Sequence, residues 1–260
     1  MTSKLESAYS KALSSTFKVV SPIKRTIKKT ECEVHLYIQE NALEILNING
    51  YKDEFNLFKE YRLKINEGLV WADQDFKCYH HFYDPRAEKG MYGDEDNALT
   101  VARSYYLKAL KYFTLENYDK SMFYFGAMCH IIQDLTIPQH AKGKLFDNHR
   151  QFEAYIKENY RTIKRFKSTE EPIILKSVDE YANYNSLNAI KTDFIYKNIA
   201  HLNTRFYLIA IKSLTLAQKT TAGCMIMFYN DLLYIWLRLC NICSILDLSQ
   251  KRIYYSIENR

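Results

Sequence analysis

The sequence of 260 residues contains only 7 glycines and 4 prolines. These residues most often end helices and form tight turns, and an all-β fold needs many of them. Apolar residues instead recur at spacings of three and four positions, which is the period of an amphipathic helix. We therefore predict an all-α fold: a single-domain bundle over 1–260 with roughly eight to ten helices, in which 1–29 form a loosely attached extension.

Signals for export and for membrane insertion are also scarce. Residues 1–21 lack the apolar central region of a secretory leader, which favours a cytoplasmic location. The six cysteines lack the spacing of a disulfide scaffold, which favours a reducing compartment. The most hydrophobic stretch, 222–248, includes Asp231 and Arg238, so we expect a buried helix rather than a membrane span. The net charge of +6 predicts a solvated surface, although it would also favour binding to an anionic membrane.

The helices can be placed approximately from their periodicity and capping signals. Thr30 and Glu33 have the spacing of a capping box, which predicts a helix over 31–48 with His35 on its inner face. Asp147 is a candidate cap for a later helix, and Pro138 interrupts the pattern before it. We predict the other helices, around a non-periodic segment at 68–96, over 53–66, 97–115, 118–134, 148–166, 177–192, 195–217 and 220–247.

Histidines and carboxylates are concentrated in one short region, as His130 with Asp134, His140 after Pro138, and His149 with Glu153. A helix returns to the same face after four positions, so each His/carboxylate pair points in one direction. Gly126, a further turn back, would leave room there for a metal. A single such pair is usually a surface contact. Burying several carboxylates without cations would destabilise the fold by several kcal/mol for each, whereas zinc binding stabilises it by on the order of 10 kcal/mol. We therefore predict a buried zinc cluster.

Six segments in order along the chain extend this pattern: His35-Leu-Tyr-Ile, Gly68-Leu-Val-Trp-Ala-Asp73, His81-Phe-Tyr-Asp-Pro85, His130 to His140, His149-x-x-x-Glu153 and Thr221-Ala-Gly223. With them the sequence resembles the bacterial zinc-dependent phospholipase C family, of the alpha-toxin catalytic-domain type. It is similar, more distantly, to the fungal zinc-dependent single-strand nucleases. The resemblance implies two or three zinc ions. The first would be held by Asp73, His81, His130 and Asp134, the second by His140, His149 and Glu153, and the third by His35, with Asp134 as a bridge.

The resemblance also implies an N-terminal tryptophan that completes the third site, but the only tryptophans are Trp71 and Trp236. Cys32 lies three residues before His35, on the same helical face, and a helix N-terminus favours a thiolate. We therefore predict Cys32 as an additional zinc ligand. One alternative is a small buried cysteine without a functional role, and another is cleavage near Pro22, which would expose a new amine as the ligand.

The family likeness implies that the chain hydrolyses a phospholipid to diacylglycerol and a phosphorylated head group, or acts on another phosphodiester. Asp73 would be the general base or a metal ligand. We expect a phospholipid partner and contact with a membrane surface, but no nucleic acid and no calcium-dependent membrane domain after residue 250. Relatives of this family are secreted, in contrast to the location suggested above.

Two other functions remain open. A single-strand nuclease would need aromatic residues for base stacking, and Glu153 favours the lipase branch because the nucleases generally have Asp there. A zinc-bound protein without catalytic activity is the other alternative. Tyr79, Phe82 and Tyr83 could form one wall of a head-group pocket, or they could pack in the core.

Overall fold

The fold is known from a computed structural model that describes residues 32–74, 80–143 and 148–257, without the side chains of Tyr92 and 240–257. These ranges contain no β-strand and two short 3-10 turns, and they include nine α-helices: α1 (Glu33–Ile48), α2 (Lys52–Glu60), α3 (Arg62–Ala72), α4 (Ala98–Thr114), α5 (Tyr118–Asp134), α6 (Pro138–Ala141), α7 (His149–Asn159), α8 (Val178–Tyr196) and α9 (Leu202–Ile257). The all-α prediction is confirmed. The single-domain organisation, with its 1–29 extension, stays a prediction.

Helix α1 contributes to two hydrophobic core clusters. Ala42 and Ile45 are buried in the first cluster, with side chains from α3, α4, α5 and α9. Ile38 is buried in the second, with residues of α7 and the start of α9. Ile38, Ala42 and Ile45 therefore form the buried face of α1, and His35, predicted on the same face, is partly buried at its start. The helix begins after Cys32, which adopts a left-handed conformation at φ 42° and makes no side-chain capping bond; Thr30 lies outside the described residues.

The predicted boundaries before and after α3 are both wrong. The predicted helix over 53–66 is divided into α2 and α3 by a turn at Tyr61, where neither glycine nor proline is present. The irregular segment begins after Ala72 rather than at Gly68, since Gly68 lies within α3. Pro138 starts the short helix α6, where its missing N–H costs no hydrogen bond.

Helices α3 and α5 approach each other closely through two glycines. A Cβ on Gly68 would meet the Phe123 carbonyl oxygen at 1.8 Å, and a Cβ on Gly126 would meet the Ile65 carbonyl oxygen at 2.1 Å. The expectation that Gly126 leaves room for a metal is therefore wrong. Its missing side chain allows contact with α3, and so it sets the separation of two helices that carry candidate metal ligands.

Helix α9 is one continuous helix of 56 residues, where we predicted two. The predicted junction includes Gln218, which is fully buried and helical. Its side-chain amide donates to the Phe166 carbonyl oxygen at 2.7 Å, and its Oε1 accepts from the Ser168 N–H at 2.8 Å. This polar residue holds the segment after α7 against α9, so its polarity does not indicate a loop.

Within the described residues, no helix is both long enough and apolar enough to cross a membrane. The prediction of a buried helix over 222–248 holds for its first turns, up to Phe228, but it is wrong further along, where Tyr234 and Trp236 are 55% and 53% exposed. The described cysteine side chains, Cys32, Cys129 and Cys224, are all buried and free. Helix α7 ends at Asn159, before the predicted end at 166, and a 3-10 turn follows at Lys164–Phe166. Its predicted cap, Asp147, lies outside the described residues.

Candidate metal centre

Eight predicted ligand residues converge from six segments of the chain. Helix α1 supplies His35, the end of α3 supplies Asp73, and the segment after residue 79 supplies His81. Helices α5, α6 and α7 supply the other five: His130, Asp134, His140, His149 and Glu153. Their ligand atoms form three groups, each within 4.8 Å: His35, His130 and Asp134; Asp73, His81 and His130; His140, His149 and Glu153.

Asp134 is the carboxylate of the first group, and it also contacts His81 of the second. Its Oδ2 lies 2.7 Å from His81 Nδ1 and 3.3 Å from His130 Nε2. Its Oδ1 lies 3.4 Å from His35 Nε2. The residue is only 6% exposed. A carboxylate surrounded by three imidazoles can share cations between neighbouring sites.

Several ring nitrogens in this cluster have no hydrogen-bond partner. His81 Nε2 and His130 Nδ1 are buried without a hydrogen-bond partner among the described residues, and His130 Nε2 makes no hydrogen bond although it lies 3.3 Å from Asp134 Oδ2. Burying polar groups in this way costs free energy unless something satisfies them. Imidazole nitrogens and carboxylate oxygens are donor atoms that zinc accepts. The unpartnered nitrogens therefore fit a divalent metal at this position.

The third group also has nitrogens that face one another. His140 Nε2 and His149 Nε2 are 2.8 Å apart, and Glu153 Oε1 lies 3.0 Å from His149 Nε2. His140 Nδ1 lies 3.0 Å from the His81 carbonyl oxygen, to which it can donate. With the proton on Nδ1, the Nε2 lone pair of His140 points toward His149 and is free to bind a metal.

The charges of the cluster are strongly coupled. Burial acts against the charge of Asp134, yet His140 and His130 hold its pKa well below the usual range. Burial likewise opposes the charge of His140, but Asp134 and Glu153 outweigh it and raise the pKa to about 9. Burial, with a smaller effect of His130, lowers the pKa of His35 to about 4. The two carboxylates therefore favour the protonated form of His140, whereas burial disfavours the protonated form of His35.

Cys32 contacts the same cluster. Its thiol donates a hydrogen bond to Asp73 Oδ2 at 3.2 Å, and the residue is 8% exposed. Burial, together with the Asp73 and Asp134 charges, raises the pKa of the thiol far above its usual value. Burial and the Asp134 charge also raise the pKa of Asp73. Cys32 therefore contacts Asp73, which was predicted for the first zinc rather than the third, and it belongs to none of the three groups of ligand atoms.

The aromatic residues next to His81 pack in the interior. Phe82 is 1% exposed and stacks on His140, with ring centroids 4.6 Å apart. Tyr83 is 3% exposed, and its hydroxyl donates to Asn183 Oδ1 at 3.1 Å. Of the two interpretations of these residues, core packing is the one that their burial supports. Tyr79 lies outside the described residues.

A model of the family described as zinc-dependent phospholipase C matches residues 34–237. The chain belongs to this family. The family depends on zinc, and the grouped histidines and carboxylates of this chain are ligands suited to that metal.

Individual relatives agree with this family membership. The chain is similar to a phospholipase C of Clostridium novyi, with 25% identity over 239 residues that cover 78% of this chain and 60% of the relative. Its fold is similar to that of the alpha toxin of Clostridium absonum, with a TM-score of 0.65, 21% identity, and coverage of 76% of this chain and 64% of the toxin. It is also similar to the Clostridium perfringens alpha toxin, with a TM-score of 0.58, 17% identity, and coverage of 76% and 63%. The chain therefore spans less than two thirds of the length of these relatives.

Gln133 orients a histidine of the candidate metal centre, and it was not predicted from the sequence. Gln133 is 1% exposed, and its Oε1 lies 2.9 Å from His35 Nδ1, from which it can accept a hydrogen bond. Its amide donates to Thr221 Oγ1 at 3.2 Å. This contact leaves Nε2 of His35 directed at Asp134. In the sequence, Gln133 is distinguished only by its position beside Asp134 and one turn after His130. Many residues at such positions simply pack in the core, so this position alone does not predict a role.

Proposed function

We propose that this chain is a phospholipase C that uses zinc to hydrolyse the phosphodiester bond of a phospholipid. The observation that carries the proposal is the convergence of buried histidines with unpartnered ring nitrogens on Asp134. The family membership and the phospholipase C relative support the same activity. A single-strand nuclease and a non-catalytic zinc protein have no such support.

We propose three zinc ions, one for each group of ligand atoms. Asp73, His81, His130 and Asp134 would hold the first, and His140, His149 and Glu153 the second. His35 would hold the third, with Asp134 bridging to the first. When bound, zinc polarises a phosphoryl oxygen, lowers the pKa of water and stabilises the charge that develops at phosphorus.

Asp73 is the residue that we propose as a general base or a ligand. Its carboxylate is partly buried, and its pKa is raised by that burial and by Asp134. A raised pKa brings a carboxylate closer to the range in which it can accept a proton from an attacking water. Asp134 and Glu153 have lowered pKa values and so stay ionised. They are better suited to holding cations.

The experiment combines metal analysis with three substrates: a phospholipid, a generic phosphodiester and single-stranded DNA. We expect bound zinc together with hydrolysis of the phospholipid. Asp73→Asn should lower turnover by at least about two orders of magnitude, whereas Asp179→Asn, which alters an exposed carboxylate paired with Arg103, should not. Cleavage of DNA alone would replace the proposal with a nuclease. Zinc without turnover on any substrate would indicate a non-catalytic protein.

We also propose that Cys32 binds the third zinc as a thiolate, because it lies three residues before His35 and its sulfur is 3.2 Å from Asp73, a proposed ligand of the neighbouring first zinc. Zinc ligation favours the deprotonated thiol and would reverse the effect of burial on its pKa. The left-handed backbone at Cys32 is uncommon for a residue other than glycine. It turns the chain immediately before α1 and holds the sulfur beside the cluster.

Cobalt can replace zinc and gives a near-ultraviolet absorption band when a thiolate binds it. We expect this band in the cobalt-loaded protein, its loss in Cys32→Ser, and one fewer zinc ion in that variant. Cys224→Ala removes another buried free cysteine and should keep both the band and the zinc content. Full zinc content and full activity in Cys32→Ser would refute a role for the thiol.

A further inference from the structure

The outer face of α8 is apolar where an exposed helix would normally be polar. Tyr184, Leu187, Phe194 and Ile195 are 37%, 50%, 67% and 57% exposed. Their spacing places them on one side of the helix, opposite the buried residues Tyr181, Ala182, Asn185, Ser186 and Ala189. Leu202, at the start of α9, is also exposed, at 37%. We call this surface, from Tyr184 to Leu202, the α8–α9 corner.

Positive charge accompanies these apolar side chains. Between Tyr181 and Lys212 the sequence has four cationic residues, Lys191, Lys197, Arg205 and Lys212, and a single carboxylate, Asp193. Asp193 lies 3.0 Å from Lys142 and is therefore already paired. Lys191 belongs to the apolar stripe, and Lys197 Nζ lies 4.2 Å above the Phe194 ring. Apolar and cationic side chains on one helical face are the combination that binds an anionic lipid surface.

The corner is joined to the candidate metal centre on two sides. The Lys142–Asp193 ion pair connects the end of α8 to the end of α6, two residues after His140. The Phe206 ring, in the first turns of α9, packs on Phe152 of α7 with centroids 5.4 Å apart. Phe152 is the neighbour of Glu153. The corner therefore contacts α6 directly through Asp193, and the turn of α9 that follows it contacts α7.

We propose that the α8–α9 corner is the surface by which this chain docks on an anionic phospholipid membrane. The proposal rests on the proposed function, since a phospholipase must reach a substrate that lies in a bilayer. Phe194, Ile195 and Leu202 would enter the boundary between head groups and acyl chains, while Lys191 and Lys197 contact lipid phosphates. Docking there places the helices of His140 and His149 beside the lipid surface.

The test separates binding from catalysis. Binding is measured by co-sedimentation with vesicles made of equal parts phosphatidylcholine and phosphatidylserine. Catalysis is measured with a short-chain phosphatidylcholine kept in its monomeric form, which needs no docking surface. The variant Phe194→Ser/Ile195→Ser is compared with Leu63→Ser/Leu115→Ser, which removes two residues of similar exposure, 68% and 62%, elsewhere in the chain.

We expect the Phe194→Ser/Ile195→Ser variant to bind the vesicles at least about tenfold more weakly, with hydrolysis of the monomeric lipid unchanged. The Leu63→Ser/Leu115→Ser control should bind as the unmodified protein does. Lys191→Glu/Lys197→Glu should lose affinity for these vesicles and show little further loss at high salt, because its electrostatic contribution is already gone.

Three results would overturn the proposal. The first is unchanged vesicle binding in Phe194→Ser/Ile195→Ser. The second is an equal loss of vesicle binding in the Leu63→Ser/Leu115→Ser control, because any pair of exposed apolar residues would then contribute as much to binding as Phe194 and Ile195. The third is a dimer of the unmodified protein that this variant dissociates, since a second copy would then cover the corner. Docking without hydrolysis of monomeric lipid would leave the corner supported and refute the proposed function instead.

Discussion

Gly126→Ala tests whether the contact between α3 and α5 sets the geometry of the metal centre. An added Cβ would lie 2.1 Å from the Ile65 carbonyl oxygen, whereas ordinary van der Waals contact begins at 3.4 Å. The obstacle is backbone, which cannot rotate away as a side chain can. The two helices must therefore separate by roughly 1 Å.

Two effects of opposite sign determine the stability of this variant. Replacing glycine by alanine inside a helix stabilises by about 1 kcal/mol. Forcing two packed backbones apart costs about 3 kcal/mol, at the upper end for overpacked cores. The net loss of about 2 kcal/mol should lower Tm by roughly 4–8 °C in a chain of this size. Differential scanning calorimetry of the zinc-depleted protein measures it.

The same displacement should weaken zinc binding. Asp73 follows α3 and His130 lies on α5, so a shift of roughly 1 Å far exceeds the tolerance of about 0.2 Å in zinc–ligand distances. We expect at least about a tenfold loss of affinity in a chelator competition assay. Gly50→Ala is the control, since Gly50 has φ 89° and nothing lies within 4 Å of its added Cβ. It should lose about 1 kcal/mol from backbone strain and keep its zinc affinity. An unchanged Tm and zinc affinity in Gly126→Ala would refute the reasoning.

Three further predictions concern contacts around the cluster and in the core. Gln133→Leu removes the acceptor that orients His35, so zinc affinity should fall about 10–100-fold; unchanged affinity would contradict that role. Zinc must displace a proton from His140, whose pKa is raised to about 9 by Asp134 and Glu153 despite burial. Calorimetry at neutral pH should therefore detect proton release, and affinity should rise with pH until about 9; an enthalpy independent of the buffer would argue against it. Tyr106→Phe removes the 2.6 Å hydrogen bond to Asp231 that joins α4 to α9; unfolding in urea should show a loss of about 1–2 kcal/mol, and equal stability would make that bond unimportant.

Much of the fold could be predicted because helical periodicity is a local property. The scarcity of glycine and proline indicated an all-α chain, and α4 and α5 lie within one or two residues of their predicted bounds. The errors occur where packing overrides local preference. Tyr61 carries no breaker signal at the turn between α2 and α3, and Gln218 is polar yet buried within a continuous α9.

The sequence by itself determined which donor atoms the candidate metal centre offers, because a spacing of four residues places His130 with Asp134, and His149 with Glu153, on single helical faces whatever surrounds them. The tertiary structure alone decided how those pairs meet. Asp134 contacts His81, 53 residues away, only because α5 packs against the segment after α3. The role of Gly126, the orientation of His35 by Gln133 and the exposed apolar face of α8 likewise depend on neighbours distant in the chain, which no local pattern records.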